Sequence, residues 1–365
     1  MTEQNKDLAI YYADKVVAVT GGTGSVGMSL VRKLLDLGVS EVRCIDVDES
    51  KLFDFEQEMQ NEPRLQTFHA NIINDFEMRR VLSGVDLVFH AAALKHVPSC
   101  ERSPFSAVET NILGVQSVIR NALECGVEKV LFTSTDKAVA PTNVMGASKL
   151  MGERLFSAAN ILSLSTHGKT IFASTRFGNV AGSRGSVIPL FCRQIAKGGP
   201  VTLTDKVMTR FMMSMDEAVT LLLESLSFAK GGEIFITKMP ALRIVDLAET
   251  MVNLIAPVYG HDPENVEIKE IGSRPGEKLM EELCTREESR FSLESDDYIC
   301  ILPPAVFLDE ALRKQHYESI GFHSPGNNYN SENADKLTSD EIRDFLLYPG
   351  VLPDSVRRAI MEKGK

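Results

Sequence analysis

The sequence predicts an α/β fold in which a doubly wound parallel sheet is joined to a smaller C-terminal lobe. From Lys15 onward, short apolar runs alternate with longer segments of helical periodicity, which is typical of repeated strand–helix units. The first apolar run leads directly into a glycine-rich turn. Beyond Gly182 the alternation loosens and glycine and proline become more frequent, which indicates a change of lobe.

The predicted strands of the first lobe are apolar along their length, as expected for strands that are buried on both faces. They lie at residues 16–19, 42–47, 87–90, 130–133 and 171–177. Residues 28–37 carry leucine and valine at helical spacing and predict a helix that ends at Gly38. Pro104 begins another predicted helix, which has one apolar side and runs to Cys125.

The two lobes are expected to interleave. Residues 15–182 form the expected first domain, and a strand at 233–237, within the stretch 233–260, returns to its sheet. Residues 183–285 form most of the second lobe, where Ser214 and Glu217 have the spacing of a capping box. The extension 286–365 is polar and weakly patterned, with a helix predicted at 339–347.

Composition excludes several classes of function. The chain has 365 residues and a formal net charge of −11, and no run of lysine or arginine favours nucleic acid as a partner. The N-terminus lacks the pattern of a signal peptide, and no apolar stretch approaches the ~20 residues that cross a bilayer. We therefore expect a cytoplasmic protein without membrane insertion. The six cysteines are scattered and predict buried free thiols rather than a metal site.

The glycine-rich turn predicts a dinucleotide site. Gly21, Gly24 and Gly27 recur at every third position between the first strand and the first helix. Their missing side chains let backbone N–H groups and the helix N-terminus approach a pyrophosphate. The predicted cofactor-binding residues of this turn are Thr20, Gly21, Thr23, Gly24, Ser25, Val26 and Gly27.

Asp46 closes the second strand nineteen residues after Gly27. A carboxylate there accepts hydrogen bonds from both ribose hydroxyls and repels a 2′-phosphate, so NAD is favoured over NADP. Three nearby side chains leave that preference open: Arg43 and Lys51 could accommodate a phosphate, and Asp48 is a competing carboxylate. Asn71 and Ile72, after the third strand, are placed to contact the adenine, although a polar strand end explains them equally well.

Several motifs, in a fixed order along the chain, indicate a protein family. They are the run 90–98 (HAAALKHVP), Thr110-Asn111-x-x-Gly114, the segment 134–141 that begins Ser-Thr-Asp-Lys, the run 176–180 (RFGNV), the segment 182–187, the run 208–211 (MTRF) and the run 274–278 (RPGEK). Together with the glycine spacing, they resemble the polysaccharide-biosynthesis branch of the extended short-chain dehydrogenase/reductases, whose best-known members are UDP-N-acetylglucosamine 4,6-dehydratases. The resemblance covers residues 15–283.

The resemblance implies a Rossmann-like domain that binds NAD, a smaller lobe that binds a UDP-sugar, and a homo-oligomer. It places Ala91, Ala92 and Ala93 along the cofactor. The implied substrate contacts are Lys95, His96, Asn179, Val187, Arg210, Arg274 and Glu277. The guanidinium groups suit the diphosphate, but Asn179, Arg210 or Arg274 could instead belong to an ion pair between the lobes.

Met145 departs from the superfamily pattern. The catalytic helix usually presents Tyr-x-x-x-Lys, whereas this chain has Met145 four residues before Lys149. The spacing places both on one face of a helix, but methionine has no proton to exchange. Some members of the dehydratase branch resemble this chain in carrying methionine there, so acid–base work is expected from other residues. The chain also resembles the short form of the family, without the membrane-spanning region of larger members.

The implied reaction removes water across C5 and C6 of a UDP-N-acetylhexosamine, by way of a 4-keto intermediate, for a surface glycan or a deoxy-amino sugar. We assign Asp136 as the acid at the 6-hydroxyl, Lys137 as the base at C5, and Lys149 to the nicotinamide ribose. Ser134 or Thr135 holds the 4-hydroxyl. The group that takes the O4 proton stays open among Asp136, Thr135 and, through water, Lys149.

Two other functions remain open from the sequence. A C4 epimerase shares the oxidation and the return of hydride but omits elimination, and a non-catalytic protein that binds NAD or a nucleotide sugar would explain Met145. The sequence leaves undetermined the exact sugar and nucleotide, the stereochemistry at C5 and the size of the oligomer.

Overall fold

The computed structural model describes residues 3–60, 62–165, 169–272, 276–303, 310–322, 324–325 and 329–363. The chain forms two compact units. Unit 1 comprises Met1–Arg176, Val219–Lys238 and Cys284–Asn328. Unit 2 comprises Phe177–Ala218, Met239–Leu283 and Tyr329–Lys365.

Up to the end of its first segment, unit 1 alternates strands and helices. The elements are α1 (Glu3–Tyr12), β1 (Val16–Thr20), α2 (Ser25–Asp36), β2 (Glu41–Asp46), α3 (Glu49–Glu58), β3 (Leu65–His69), α4 (Asp75–Leu82), β4 (Leu87–His90), α5 (Val97–Arg102), α6 (Pro104–Val108), a π-helical segment (Glu109–Leu113), α7 (Gly114–Cys125), β5 (Lys129–Thr133), a 3₁₀ turn (Asp136–Ala138), α8 (Val144–Ser165) and β6 (Ile171–Arg176).

The rest of the chain contributes segments to unit 2 and to unit 1 in turn. Its elements are β7 (Asn179–Val180), α9 (Val187–Ile195), β8 (Val201–Leu203), β9 (Thr209–Met213), α10 (Met215–Phe228), β10 (Ile234–Thr237), β11 (Ala241–Arg243), α11 (Ile244–Ile255), β12 (Ile268–Glu270), β13 (Glu282–Cys284), α12 (Arg286–Ser289), β14 (Ser292–Glu294), β15 (Tyr298–Ile301), α13 (Glu310–Ser319), β16 (Ser324–Pro325), β17 (Tyr329–Asn330), α14 (Ser339–Leu347) and α15 (Asp354–Lys363), with 3₁₀ turns at Ala256–Tyr259 and Pro263–Asn265.

Unit 1 is built on one sheet with the order β16-β14-β15-β10-β6-β5-β4-β1-β2-β3. The strands from β10 to β3 pair in parallel, which confirms the predicted α/β class. The strand order reverses at β1: β2 and β3 lie on one side of it, and the chain then returns to place β4 on the other side. In open parallel sheets, ligands bind outside the carboxyl ends of the strands at this reversal. The glycine-rich turn follows β1 at that point.

The segment after residue 285 is more ordered than its weak pattern indicated. β15 pairs antiparallel with β10, and β14 pairs antiparallel with β15, so both strands extend the sheet of unit 1. Residues 286–365 therefore do not form a separate extension: the part up to Asn328 belongs to unit 1 and the part from Tyr329 to unit 2. Of the stretch expected to rejoin the first domain, only the part up to Lys238 lies in unit 1.

The face of the unit 1 sheet that α8 covers is close-packed. A Cβ on Gly152 would lie 2.6 Å from the Phe132 ring, so only glycine lets the helix approach β5. Phe156 on the same helix stacks on Phe132 with ring centroids 5.1 Å apart. This packing fixes α8 against the strand that leads to the candidate catalytic turn.

Unit 2 places short sheets among amphipathic helices. Its three-stranded sheet has the order β11-β9-β7, and buried side chains of α9, α11, α14 and α15 share one core. The predicted capping box is present: Ser214 N donates to Glu217 Oε2, and Glu217 N donates to Ser214 Oγ. The predicted helix at 339–347 is confirmed as α14. Among all the residues that the structure describes, no helix is long and apolar enough to span a membrane.

Candidate active site

The glycine-rich turn after β1 has no room for a side chain at two of its glycines. Gly21 has φ +69°, and a Cβ there would lie 2.7 Å from Cα of Ala92. A Cβ on Gly27 would lie 2.3 Å from the carbonyl oxygen of Gly21, so α2 packs on the turn at that position. A Cβ on Gly24 would have Gly21 O at 3.1 Å and otherwise open space within 4 Å. The turn is therefore tight on its protein side and open at Gly24.

The N-terminus of α2 supplies the features of an anion site. Its N-cap, Gly24, carries no capping side chain, and the helical hydrogen bonds begin with Met28 N to Gly24 O. The N–H groups of Ser25, Val26 and Gly27 precede that ladder, at the positive end of the helix dipole. The open turn and the uncapped helix therefore fit a dinucleotide pyrophosphate.

Asp46, the last residue of β2, is hydrogen-bonded to this turn. Its Oδ2 accepts hydrogen bonds from Thr23 N at 3.1 Å and Thr23 Oγ1 at 2.7 Å, and its Oδ1 accepts one from Val47 N at 2.8 Å. The carboxylate is thus held beside the turn. Thr20, at the end of β1, is fully buried and its Oγ1 lies 2.7 Å from His90 Nδ1.

The three side chains that left the cofactor preference open have other partners. Arg43 donates from Nε to Glu41 at 2.6 Å and from Nη1 to the carbonyl oxygens of Val81 and Ser83. Asp48 caps α3 by accepting a hydrogen bond from Lys51 N. The amino group of Lys51 forms an ion pair with the same carboxylate.

The residues predicted at the adenine and along the cofactor lie in two loops. Asn71 forms a turn, with Oδ1 accepting a hydrogen bond from Ile73 N at 3.1 Å, as a polar strand end would. Ile72 is buried, and a Cβ on Gly114 would lie 2.5 Å from its Cδ1. The loop of Ala91, Ala92 and Ala93 follows β4, and Ala91 N continues the pairing by donating to Thr20 O at 3.0 Å.

Thr135, Asp136 and Lys137 meet directly after β5. Thr135 caps the 3₁₀ turn, and its Oγ1 donates to Asp136 Oδ1 at 2.6 Å. Lys137 Nζ lies 3.0 Å from each carboxylate oxygen of Asp136. The Asp136 side chain is fully buried, whereas that of Lys137 is 32% exposed. A proton donor and a proton acceptor are therefore in contact at the carboxyl end of a central strand.

Ser134 precedes this trio and differs from Thr135. Its Oγ is buried and, among the described residues, has no hydrogen-bond partner. Buried hydroxyls are usually hydrogen-bonded, so an orphaned one at the carboxyl end of a strand is consistent with a ligand contact.

The start of α8 packs on the backbone of the 3₁₀ turn Asp136–Ala138. A Cβ on Gly146 would lie 2.1 Å from the carbonyl oxygen of Lys137, and Gly146 N donates to Asn143 Oδ1 at 2.8 Å. The glycine in Met-Gly-Ala-Ser-Lys is therefore required by close approach. The helix and the turn that carries Asp136 are in direct contact.

Lys149 lies beneath the site on the buried side of α8. Its Nζ donates to Thr133 O at 2.8 Å and lies 4.5 Å from the centroid of the Phe132 ring. Burial lowers the pKa of Lys149 to about 8, with Glu153 opposing that shift. The group is therefore mostly an ammonium at neutral pH and is close to titrating.

Met145 packs as an apolar side chain. It is buried in a cluster with Cys100 and Ala107, against which Val97 and Val144 also pack. The thioether thus occupies the position of the usual tyrosine while making the contacts of a core residue. A role for it in proton exchange is not supported by these surroundings.

Asn111 is a functional candidate that the sequence analysis did not assign. It lies in the π-helical segment, where the single helix predicted at 104–125 is interrupted. Its side chain accepts from Leu94 N at 2.8 Å and donates to Leu94 O at 3.0 Å and to Ser148 Oγ at 2.9 Å. It therefore fixes the loop that presents Lys95 and His96, both of which are exposed. Its place in the Thr110-Asn111-x-x-Gly114 motif was the available signal.

His90 is the second unassigned residue. It is fully buried, and its ring lies beside the stacked pair Phe132 and Phe156, with ring centroids 5.7 and 6.4 Å away. Burial, aided by the charge of Lys149, lowers the pKa of His90 to about 3. Its imidazole is therefore neutral at physiological pH.

Two of the predicted substrate residues of unit 2, Asn179 and Arg210, contact one buried carboxylate, Glu281. Asn179 Nδ2 donates to Glu281 Oε2 at 2.8 Å, and Arg210 Nε lies 3.1 Å from Glu281 Oε1. The guanidinium of Arg210 also donates to the carbonyl oxygens of Thr209 and Lys278. The alternative of an ion pair is thus the observed arrangement for Arg210, but it lies within unit 2 rather than between the lobes.

Two other predicted substrate residues, Val187 and Glu277, lie elsewhere in unit 2. Val187 is the first residue of α9, whose N-cap Ser186 makes no side-chain capping bond. Glu277 is half-buried in the segment before β13. Arg274 lies outside the described residues.

The family assignment follows from comparison with known proteins. A family model described as "Polysaccharide biosynthesis protein" matches residues 17–303, which is most of the chain. The chain belongs to that family. The predicted branch of the extended short-chain dehydrogenase/reductases is thereby confirmed.

Three relatives extend along nearly the whole chain. A Methanocaldococcus jannaschii protein described as an uncharacterized membrane protein is 46% identical over 344 residues, 93% of this chain and 98% of that protein. The UDP-glucose 4-epimerase of Rickettsia conorii is 37% identical over 352 residues, 95% of this chain and 100% of that protein. The X-ray structure of Pen from Bacillus thuringiensis is 39% identical with a TM-score of 0.86, covering 94% of this chain and 100% of that one.

More distant structures share the fold alone. Among them is a dTDP-glucose 4,6-dehydratase from Streptomyces venezuelae with NAD bound, at 24% identity and a TM-score of 0.63 over 72% of this chain and 86% of that one. Another is a UDP-N-acetylglucosamine 4-epimerase from Methanobrevibacter ruminantium, at 24% identity and a TM-score of 0.61 over 73% of this chain and 87% of that one. The predicted fold is confirmed by these neighbours.

Proposed function

We propose that the chain is an NAD-dependent nucleotide-sugar 4,6-dehydratase whose substrate is a UDP-N-acetylhexosamine, with UDP-N-acetylglucosamine as the first choice. The observation that carries this proposal is the contact of Asp136 with Lys137 after β5, where an acid and a base are paired. The product would be a 4-keto-6-deoxy sugar nucleotide for a surface glycan or deoxy-amino sugar.

The cofactor assignment rests on the fit of the turn after β1. The open position at Gly24 and the uncapped α2 would hold the pyrophosphate, and Asp46 would accept the ribose hydroxyls. Bound NAD would accept the hydride from C4 of the sugar and return it to C6 in the same turnover. Lys149 would hold the nicotinamide ribose through the remaining hydrogens of its ammonium group.

NAD rather than NADP is proposed on two observations. The carboxylate of Asp46 is held at the turn, where it would repel a 2′-phosphate. The cations that could offset this repulsion are engaged elsewhere, Arg43 with Glu41 and Lys51 with Asp48. The Asp48 carboxylate is likewise used as a helix cap.

Dehydration requires an acid at the 6-hydroxyl and a base at H5. Transfer of one proton from Lys137 Nζ to Asp136 across their 3.0 Å contact converts the ion pair into a carboxylic acid and an amine. These are the two forms that the roles require. Exclusion of water from Asp136 narrows the free-energy gap between the ionic and neutral pairs, because a buried charge loses its hydration.

The hydroxyl groups beside this pair would position the sugar. Thr135 Oγ1 donates to Asp136 and has lone pairs left to accept from the 4-hydroxyl. The orphaned Oγ of Ser134 is the other candidate. If Lys137 has protonated Asp136, the O4 proton would leave through water toward Lys149. If Lys137 enters as the free amine, the O4 proton would pass by way of Thr135 to the Asp136 carboxylate, which then delivers it to the 6-hydroxyl.

Asn179, Arg210 and Arg274 would bind the nucleotide diphosphate, and Val187 and Glu277 would contact other parts of the substrate. Because Arg210 already donates to Glu281 and to backbone carbonyl oxygens, it would share its guanidinium with a phosphate rather than dedicate it. Lys95 and His96 would contact the sugar or the phosphates from the loop that Asn111 fixes.

Met145 favours dehydration over epimerisation in one respect. A C4 epimerase needs a proton-exchanging group only at O4, which a tyrosine at this position would supply. This chain lacks that phenol and has the Asp136–Lys137 pair instead, which is one proton-exchanging group more than epimerisation needs.

C4 epimerisation is the second candidate. It is favoured by the 37% identity to relatives named UDP-glucose 4-epimerase, which this chain matches along their entire length. The two reactions differ in mass balance, because dehydration releases one water and epimerisation releases nothing.

Mass spectrometry of the sugar nucleotide separates these functions. Purified protein is incubated with UDP-N-acetylglucosamine and NAD, and in parallel with UDP-glucose. Dehydration predicts a product lighter by one water from the acetamido sugar, absent with Lys137→Met. An isomer of unchanged mass would support the epimerase, and bound NAD without turnover of any UDP-sugar would support a non-catalytic protein.

A homo-oligomer is proposed from exposed apolar side chains. On α6, Phe105 is 82% and Val108 is 41% exposed, and on α8, Leu162 is 53% exposed. Single exposed apolar side chains are common on monomers, but a patch of them shared by two helices is typical of an association surface. Leu162→Lys is expected to lower the mass measured by light scattering, whereas an unchanged mass would contradict this interface.

A further inference from the structure

Arg176 is the largest fully buried side chain in the described structure. Its guanidinium donates to two carboxylates at once. From one edge, Nε and Nη2 reach Glu153 at 2.8 and 2.7 Å, and from the other, Nη1 and Nη2 reach Glu288 at 2.9 and 2.7 Å. The triad of Glu153, Arg176 and Glu288 therefore carries two negative charges and one positive charge inside unit 1.

Glu288 comes from a distant part of the chain and is itself held in place. It is the third residue of α12, where Thr285 and Glu288 form a capping box. The strands β14 and β15 that follow extend the unit 1 sheet beyond β10. Burial opposes ionisation of Glu288, but hydrogen bonds and the charge of Arg176 hold its pKa below the ordinary value. The capping carboxylate is therefore a fixed anion.

The triad adjoins Lys149 through two separate routes. Glu153 follows Lys149 by four residues on α8, so the two side chains share one face of the helix. Lys149 Nζ donates to Thr133 O, and Thr133 pairs with Thr175, the residue before Arg176. The charges of the triad thus lie on the same side of the sheet as the Lys149 ammonium.

We propose that Glu288 is a positioning residue, which holds Arg176 against Glu153 and keeps a net negative charge beside the Lys149 ammonium. Without Glu288, Arg176 would neutralise Glu153 and the triad would lose its net charge. The ammonium would then lose part of its electrostatic stabilisation. The C-terminal part of the chain would in this way set the charge state of a residue at the candidate active site.

The proposal rests on the proposed function only for the use to which Lys149 is put. Other charged groups on elements packed around α8 must be counted in any titration. They include His90 on β4, Asp136 and Lys137 on the 3₁₀ turn, Glu153 and Arg154 on α8 itself, Lys129 on β5, Arg176 on β6, Glu101 and Arg102 on α5, Glu109 in the π-helical segment, and Arg120 and Glu124 on α7; the charge of Arg154 also favours ionisation of Glu288 and helps to lower its pKa. Of these, His90 is neutral near pH 7, and Asp136 and Lys137 balance each other as a pair.

The test follows Lys149 directly, so it is independent of the substrate. The full chain is labelled with lysine carrying carbon-13 at Cε, and the Lys149 resonance is assigned by its loss in Lys149→Arg. The resonance is then titrated in the wild type and in Glu288→Gln. Removing one partly buried charge is expected to lower the midpoint by roughly half a pH unit, about a threefold change in the ionisation constant.

A matched control lies next to Glu288. Glu287 is an exposed carboxylate on the same short helix, so Glu287→Gln makes the same change of charge away from Arg176. The proposal expects its Lys149 midpoint to equal that of the wild type. Equal midpoints in all three proteins, with Glu288→Gln folded, would overturn the proposal.

A second variant covers the case in which Glu288→Gln does not fold. Glu288→Asp keeps the charge but withdraws it from Arg176 by one methylene. The midpoint for Lys149 is then expected to fall below that of the wild type, and an unchanged midpoint would overturn the proposal. If the protein has no dehydratase activity but the Lys149 midpoint shifts as expected, the inference stands. If the protein is an active dehydratase but the midpoint does not shift, the inference is wrong.

Discussion

The amino group of Lys137 lies 3.0 Å from both carboxylate oxygens of Asp136, its neighbour in the chain. The pair can exchange a proton without moving. If it supplies the acid and the base, Asp136→Asn and Lys137→Met should each lower kcat by about 10²-fold or more. NAD affinity, measured by fluorescence, should stay near that of the wild type, because neither residue is assigned to the cofactor.

Asp54→Asn is the matched control for this prediction, since Asp54 is an exposed carboxylate on α3. Its kcat should equal that of the wild type. A Lys137→Met protein that retains most of its turnover would show that C5 is deprotonated by another group.

Met145 is expected to be replaceable by another apolar side chain. Met145→Leu conserves volume in the cluster with Cys100 and Ala107, so it should cost less than about 1.5 kcal/mol and keep most of the activity. Met145→Tyr enlarges the side chain and should cost about 1–3 kcal/mol without raising kcat. Denaturant unfolding and steady-state kinetics test both, and a large loss of kcat in folded Met145→Leu would assign the thioether a chemical role.

Gly146→Ala should disturb the site through the backbone. The added Cβ would lie 2.1 Å from the carbonyl oxygen of Lys137, so α8 or the 3₁₀ turn must shift. Overpacking of this kind costs about 1–3 kcal/mol, which exceeds the ~1 kcal/mol that alanine gains over glycine in a helix. We expect lower stability and lower kcat, while Ala147→Ser, on the exposed neighbour, should change neither. A stabilised, fully active Gly146→Ala would contradict the close contact.

Asp46→Asn should relax the choice of cofactor. It removes the charge that would repel a 2′-phosphate while keeping an acceptor for Thr23. We expect the ratio of NADP to NAD affinity to rise about tenfold, as for loss of roughly 1–2 kcal/mol of repulsion. Asp48→Asn is the control, because asparagine also caps helices well. If only Asp48→Asn changed the cofactor preference, Asp48 rather than Asp46 would be the ribose contact.

His90 should make stability depend on pH. Its pKa is lowered to about 3 in the folded chain, against about 6.5 when unfolded, so its stabilising effect is present above pH 6.5 and is lost as the pH falls toward the folded value. From about pH 7.5 to about pH 5 this one group should remove about 2 kcal/mol of unfolding free energy. Urea unfolding should show that loss reduced in His90→Asn, which retains a partner for Thr20, but unaltered in the exposed His69→Gln.

Features fixed by nearby residues were predictable from the sequence. The glycine-rich turn, the strands buried on both faces and the capping box at Ser214 all depend on residues within a few positions of each other. The helix Ser339–Leu347 was predicted to the residue for the same reason.

Features that join distant residues were not predictable. Glu281 contacts Asn179 from 102 positions away, and Glu288 contacts Arg176 from 112 positions away, so no local pattern marks either pair. The strands β14 and β15 have three and four residues and belong to the sheet only through β10. The π-helical segment was not predicted because the apolar residues between 104 and 125 also fit one uninterrupted α-helix.

Proton NMR in D₂O tests the central proposal most directly. The protein is incubated with UDP-N-acetylglucosamine with and without added NAD, and the sugar signals are followed. The proposal predicts a 6-deoxy-4-keto sugar that carries deuterium at C5, because the base that removes H5 exchanges with solvent. Formation of the C4 epimer with its 6-hydroxyl intact and no deuterium at C5 would contradict it.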